Sequence, residues 1–438
     1  MAPGTTLIYN SRRTIQKGPE MTAVATDNVM ERRWPEAGTH HVPYWLYTDA
    51  EIYQREMERI FCGKSWNYVA LDAEVPNAGD FKRSWIGDRP VVVTRDEDGG
   101  INVFANRCAH RGVQFCKHNY GNTKDFVCPY HQWTYSLKGD LVGVPLRRGV
   151  RKNGEYKGGM PKDFKREEHG LDVCKVHNHN GAVFASFDHD VEPYEAFLGE
   201  TIHGYMNRVF DGRPLKILGH SRQLIPSNWK LMFENLKDPY HATLLHVFLI
   251  SFGLFRGDQE SASVMDETGK HAALVNRRGA QKASEGTAEM TRMFEDYKLA
   301  DPRLIDPKKE FSGDATVVMQ TLWPNLIMQQ QSNSLAMRHI IPRGPEKFEL
   351  AWTFFGYEDD DEEMTARRLR QANLMGPAGL VSIDDSEVLK MSQDSIASYP
   401  EADGLYEMGG RGTEDHDHIV TETAIRAFYK VYREVMGL

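Results

Sequence analysis

The sequence predicts an α+β fold in which a small all-β domain is inserted into a larger domain with one antiparallel sheet flanked by helices. Three observations predict it. From about residue 64 to 187, short apolar runs alternate with Gly- and Asp-rich turns. In Phe348–Tyr357, Phe348, Leu350, Trp352 and Phe354 alternate with Glu349, Ala351 and Thr353, as in a strand with one covered face. Strand runs and helix runs are grouped rather than alternating as βαβ units, which favours α+β. A chain of 438 residues is long enough for two such domains.

In chain order, residues 1–40 mix Pro, Gly, Ser and charge without periodicity and read as a mobile N-terminal arm. Met21 sits where a shorter chain could begin. Tyr47–Cys62 reads as a helix capped by Thr48, with Glu51 three residues on. Residues 41–63 and 188–438 make up the larger, catalytic domain around the 64–187 insert. Within the insert, Pro90–Val93 and Ile101–Phe104 are strands joined by the Asp98-Gly99-Gly100 turn. Lys138-Gly139-Asp140 is another turn, and Gly181–Phe187 is a closing strand. Residues 229–250 read as one helix rich in aromatics, Leu and His, and 252–312 as an irregular polar stretch, a loop or lid. Strands return at Ala315–Trp323, Leu326–Gln331, Leu335–Pro342 and Phe348–Tyr357. Arg367–Met375 is helical and stops near Gly376-Pro377, and a C-terminal helix aligns Ile425, Phe428, Tyr432 and Val435.

Composition narrows the function. The net charge of −9 argues against nucleic acid or an anionic membrane as partner. No apolar run approaches the roughly 18–20 residues of a membrane span, and the N-terminal residues lack the apolar segment of a signal peptide. Free thiols and a thiolate-bound metal centre point to a cytoplasmic protein.

That centre is read from Cys108-Ala109-His110 and Cys128-Pro129-Tyr130-His131, with seventeen residues between His110 and Cys128. Each run offers one thiolate and one imidazole. A Rieske [2Fe–2S] cluster needs this mixture, because two His replace two Cys on one iron. Zinc sites usually pair like with like, as C-x2-4-C and H-x3-5-H, so the interleaving favours the cluster. Cys62, Cys116 and Cys174 remain as buried or idle thiols.

A second centre is suggested by Glu234-Asn235-Leu236-Lys237-Asp238-Pro239-Tyr240-His241-Ala242-Thr243-Leu244-Leu245-His246. Mononuclear non-haem Fe(II) takes two His and one carboxylate on one face, leaving positions for O2. His241 and His246 are five residues apart, which separates them by about 140° around a regular helix. Both reach one ion only if the helix widens or ends there, so a π-type bulge or other distortion is predicted. The carboxylate must come from elsewhere, and Gly376-Pro377-Ala378-Gly379-Leu380-Val381-Ser382-Ile383-Asp384-Asp385 is the best source. Residue chemistry leaves Asp384 and Asp385 equivalent. Asp238, three before His241, is placed to orient that imidazole.

These residues resemble the large (α) subunit of Rieske ring-hydroxylating oxygenases from about Val42 to the C-terminus. The resemblance rests on C-x-H-x17-C-x2-H, on Asn-Trp-Lys-Leu leading into Glu-Asn-x2-Asp-x2-His-x4-His, and on Gly-Pro-Ala-Gly before paired acids. It implies Cys108, His110, Cys128 and His131 as cluster ligands. It implies His241, His246 and Asp385 as iron ligands, with Asn235 near the iron. It makes Asp238 the electron bridge from a neighbouring subunit's cluster to His241 in a ring-shaped trimer.

Within the family, Arg107–Gly112, Gly158–Pro161, Lys237–Ala242 and Gln371–Gly379 are most similar to the group acting on benzoate-type acids, which includes enzymes of salicylate, anthranilate and terephthalate. The expected reaction is O2-dependent hydroxylation of an aromatic carboxylate, first of all salicylate at carbon 5. Dihydroxylation of anthranilate, phthalate isomers or another benzoate is the alternative. Ser382 and Gln331, with Arg338 and Asn325 behind them, are the expected holders of the carboxylate. Ile419 stands where the terephthalate group carries an Arg, which favours a monocarboxylate. No G-x-G-x-x-G element opens a βαβ unit, so a separate NAD(P)H reductase and a ferredoxin are expected. The resemblance also implies a small β subunit, giving α3β3 (or α3 without it). The rival of another class is a Rieske electron carrier fused to a binding domain; it leaves His241, His246 and the distant acid unexplained.

Overall fold

A computed structural model describes residues 32–252, 254–255, 259–277 and 299–438. The chain divides into two units, Met1–Arg33 and Trp34–Leu438. All elements among the described residues lie in the second unit. It begins earlier than the expected arm boundary at residue 40. Trp34 is buried, and its ring lies 5.5 Å from that of Tyr429. Residues 1–31 of the expected arm lie outside the described residues.

The insert is all-β, as expected. Strands β1 (Asp80–Ile86), β2 (Arg89–Arg95), β3 (Ile101–Ala105) and β4 (Tyr120–Asn122) form an antiparallel sheet in the order β3-β2-β1-β4. Val91, Val92 and Val93 are fully buried, and Asp96 ties the turn by accepting N–H bonds from Asp98 and Gly100. A small three-stranded sheet, Phe126–Val127, Thr134–Tyr135 and Leu141–Gly143, carries the second ligand run in its first hairpin.

The catalytic domain is built on seven antiparallel strands. They are β5 (Leu215–Ile225), β6 (Ser261–Met265), β7 (Ala272–Arg277), β8 (Ala315–Leu322), β9 (Leu326–Gln331), β10 (Ser334–Pro342) and β11 (Phe348–Tyr357), in the order β5-β11-β10-β9-β8-β7-β6. The last four match the expected strands closely. β6 and β7 fall in the stretch expected to be irregular, so that reading is corrected. Ser261 stands opposite Asn276 in the ladder, and the turn between the strands contains Gly269, which adopts φ +81°. Residues 278–298 of that stretch lie outside the described residues.

Helix α1 (Ala50–Glu56) is capped by Asp49, not Thr48; the Asp49 carboxylate accepts the N–H groups of Glu51 and Ile52. One π-type turn, Met57–Phe61, follows it. The expected helix over 229–250 is two short helices, α2 (Trp229–Asn235) and α3 (Val247–Ser251), with a 3-10 turn at His241–Thr243 between them. Helices α4 (Glu362–Met375), α5 (Leu380–Ser398) and α6 (Thr423–Met436) complete the layer beside the sheet.

Two buried polar clusters pin α2. Lys230 Nζ lies 2.7 Å from Glu56 Oε1, both fully buried, and Glu56 also accepts from Trp229 Nε1 and Tyr432 OH. Glu234 accepts hydroxyls of Tyr47, Tyr406 and Tyr429. Breaking a buried ion pair strands one charge, so Lys230→Met should lower stability by about 3 kcal/mol. The double change with Glu56→Leu should recover most of that loss in chemical denaturation; an unaltered midpoint for Lys230→Met would remove this anchor.

Candidate metal centres and substrate cavity

Both ligand runs of the insert adopt the same loop. The Cys108 and Cys128 N–H groups donate to Val113 and Trp133 carbonyls at 2.9 and 2.8 Å. Their own carbonyls accept from Gly112 and Gln132, both at positive φ. Two matching loops thus face each other. The His110 and His131 rings are 4.6 Å apart, and His110 stacks on Trp133 at 4.7 Å. Both sulfurs are buried, and the imidazoles are half-buried at the tip.

The donor set fits a [2Fe–2S] cluster. His110 Nδ1 is buried without a hydrogen-bond partner, as a metal-binding nitrogen should be. Tyr135 OH accepts from Ala109 N (3.1 Å) and lies 3.2 Å from Cys108 Sγ, so its proton points at a thiolate. Asn106, which the sequence reading missed, bridges the first loop by bonding Phe115 N, Cys116 N and Cys116 O. Cys62, Cys116 and Cys174 are free, and burial pushes the Cys62 and Cys116 thiols up to about 11. They are idle at neutral pH.

The second centre forms where α2 ends. Pro239 lacks an N–H and disfavours helical conformation at Asp238, so the helix stops there. The chain then turns through His241–Thr243, and Thr243 Oγ1 donates to the Tyr240 carbonyl at 2.8 Å. The distortion expected between the two His is therefore a helix break, not a π-bulge. It brings both Nε2 atoms to one carboxylate oxygen: His241 Nε2 and His246 Nε2 lie 3.5 and 3.2 Å from Asp385 Oδ1. The three side chains present donor atoms within 4.8 Å of one another and could hold one metal ion.

The structure separates the paired acids. Asp385 faces both Nε2 atoms, whereas Asp384 Oδ2 lies 3.3 Å from His246 Nδ1, on the far side of that ring. Burial raises the Asp385 carboxyl, but the two imidazoles outweigh it and hold it well below the usual range. His241 Nδ1 is likewise held from outside by the Asp238 backbone carbonyl, with Asp238 Oδ2 at 3.8 Å. Asn235 Nδ2 lies 3.2 Å from Asp385 Oδ1 and 3.3 Å from His241 Nε2. Asp385 is delivered by α5, whose start requires Gly379: a Cβ there would collide with the Leu374 carbonyl.

A cavity opens from this trio onto one face of the sheet. Leu249, Phe255, Leu274, Val317, Met319 and Val381 make it largely apolar, and Gln331 and Arg338 also line it. Arg338 is buried; its Nε donates to Gln329 Oε1 at 2.9 Å, and it lies 4.2 Å over the Trp352 ring. Burial lowers its guanidinium to about 10, still cationic at pH 7. Two expected carboxylate holders do not line the cavity. Ser382 Oγ donates to Gln223 Oε1 at 3.0 Å. Asn325 bonds Tyr68 N and O and His339 Nε2, joining the sheet to the Asn67–Leu71 strand. Its side chain is engaged away from the cavity, which corrects that expectation.

Residues 65–154 match the Rieske [2Fe-2S] domain, and residues 193–438 match the ring hydroxylating alpha subunit (catalytic domain). The chain therefore belongs to the family of Rieske ring-hydroxylating oxygenase α subunits: it is an oxidoreductase with a [2Fe–2S] domain and a mononuclear-iron catalytic domain. Over 407 residues it is 56% identical to the large oxygenase component of salicylate 5-hydroxylase from Ralstonia sp., covering 92% of this chain and 96% of the relative. It is 41% identical to the large subunit of anthranilate 1,2-dioxygenase from Burkholderia cepacia, covering 96% and 99%. Naphthalene 1,2-dioxygenase from Rhodococcus sp. superposes with a TM-score of 0.74 at 25% identity, covering 90% and 94% of the two chains. Among the described residues no helix is long and apolar enough to cross a membrane.

Asp384→Ala should weaken iron retention in the catalytic domain about 10–100-fold while leaving cluster absorbance intact; unchanged iron content would sever the link to His246. Burial raises Glu234 to about 7. A carboxyl raised on folding stabilises the fold below its unfolded value, near 4.3, and that contribution is lost as pH rises through 7. Between about pH 4.5 and 7, wild type should therefore lose roughly 3 kcal/mol relative to Glu234→Gln. Parallel denaturation curves at both pH values would refute it.

Proposed function

We propose that this chain is the oxygenase subunit that hydroxylates a benzoate-type monocarboxylate, salicylate at carbon 5. The observation that carries the substrate reading is Arg338, a buried cation in an otherwise apolar cavity beside the His/His/Asp trio. An apolar cavity takes an aromatic ring, and a guanidinium that forms no ion pair among the described residues asks for a carboxylate. Gln331 offers a second polar contact in the same cavity. Ser382 and Asn325 stand outside it. Ile419 is fully buried in an apolar cluster with Leu249, Phe255 and Val381, which supports one carboxylate rather than two.

In this reading Cys108, His110, Cys128 and His131 hold the cluster, and His241, His246 and Asp385 hold Fe(II). The cluster supplies electrons and the ferrous ion supplies O2 activation. The protein does the rest. Arg338 and Gln331 fix the carboxylate and so choose which ring carbon faces the trio. The apolar wall excludes water, which limits stray oxidation. Asp384 and the Asp238 carbonyl keep each imidazole turned so that Nε2 faces inward. Asp238, half-buried at the edge of the site, would bridge His241 to the cluster ligand His131 of a neighbouring protomer, so that a trimer would bring the two metal sites together. A ferredoxin and an NAD(P)H reductase feed it, and a small β subunit completes an α3β3 assembly. Dihydroxylation of anthranilate is the second reading, supported by the likeness to its dioxygenase.

Arg338→Met should weaken salicylate binding at least about tenfold, the loss of one charge-assisted pair, with product identity checked by chromatography using a surrogate reductase. Undiminished affinity would remove the carboxylate anchor. Asp238→Ala should retain both metals yet lose nearly all steady turnover; full activity would reject the bridge.

A further inference from the structure

A second cavity, of about 130 Å³, lies between the insert and the edge of the catalytic sheet. Its walls include Lys82, Arg83 and Trp85 of β1, Tyr120 of β4, Arg222 of β5 and Trp352 of β11. Two buried or half-buried carboxylates serve the cations around it. Glu74 receives Lys82 and His220 at 2.6 and 2.7 Å, and Glu349 receives Arg222 and Arg343 at 2.6 and 2.8 Å. Arg83 has no carboxylate partner among the described residues. It donates to Asn119 Oδ1 at 2.9 Å, and its Nε is buried with no partner. The guanidinium is held in place over Trp85, 5.3 Å from the ring, where Arg222 and Arg343 also pack.

An unneutralised guanidinium with a buried, unanswered N–H calls for an acceptor bearing negative charge. The aromatic walls favour a flat molecule over a hydrated inorganic ion. At about 130 Å³ the cavity is a little smaller than the roughly 150 Å³ that holds one benzene, so the occupant is limited to a single ring packed closely against the walls. We propose that this cavity is a second binding site for a one-ring aromatic carboxylate, held by Arg83. The site is separate from the substrate cavity but adjoins it through Trp352, whose ring lies 4.2 Å from the Arg338 guanidinium. An anion bound there links β1 of the insert to β5 and β11 of the sheet.

Calorimetric titration of the iron-loaded holoenzyme with benzoate tests this in four proteins. Wild type should bind two equivalents per chain, with one event weakened at least about tenfold in Arg338→Met, the other in Arg83→Met, and both in the double variant. Arg83→Met removes an unpaired charge and keeps the stem packed on Trp85, so cluster absorbance and melting should match wild type. Arg83→Lys, which keeps the charge but not the fork, should bind with intermediate affinity. Inorganic phosphate in excess should leave the Arg83-dependent event unchanged. If Arg338→Met binds both equivalents with wild-type affinity, one of them sensitive to Arg83, the substrate anchor fails and the second site stands. If Arg83→Met binds as many equivalents as wild type with unaltered affinities, or if phosphate displaces benzoate, the second site is refuted.

Discussion

Two imidazoles five residues apart cannot face one ion from a regular helix, and the catalytic domain is organised around that constraint. The helix must end between Asn235 and His241, yet its end must not wander. Pro239 supplies the break. The Glu56–Lys230 pair and the three tyrosine hydroxyls on Glu234 supply the rigidity just before it. Gly379 then lets α5 start close against α4, so that Asp385 meets both Nε2 atoms. Charged groups buried far from any reacting atom are thus part of what aims the ligands.

The electrostatics divide the same way. The cavity is largely apolar, with charge at two places: the trio, where Asp385 is held as a carboxylate, and the sheet, where Arg338 stays cationic and, among the described residues, has Gln329 as its close polar partner. A charge left with a neutral partner in an apolar wall is costly unless something completes it. In the proposed function that cost is the physical basis for selecting a carboxylate, and the stacking of Arg338 on Trp352 keeps the cation from swinging out to solvent.

Much of this was legible in the sequence, for reasons particular to each element. Strong alternation marked β11, and mixed Cys/His spacing marked the cluster loops. The i, i+5 spacing demanded a distortion, but an apolar run continuing past Pro239 made 229–250 look like one helix. β5 was missed because a polar run, His220–Gln223, fills its middle and a bulge near Gly219 breaks the pattern, and β6 and β7 are short and lie in a polar stretch. Residue chemistry left Asp384 and Asp385 equivalent; the family resemblance pointed to Asp385, and α5 turns that one inward. Asn325 had the chemistry of a ligand-binding amide; its use between two sheets depends on contacts that no local pattern encodes. Asn106 and Asp49 act through backbone bonds that leave little trace in residue type.

The account rests on two separate iron centres in each chain. Iron and acid-labile sulfide should be counted in the wild-type protein and in His246→Ala, with the cluster monitored by electron paramagnetic resonance of the reduced proteins. The account predicts about three irons and two sulfides per chain in wild type, with His246→Ala losing one iron and keeping an unaltered cluster signal. Two irons per chain in wild type at full cluster occupancy, or a third iron that survives His246→Ala, would contradict it.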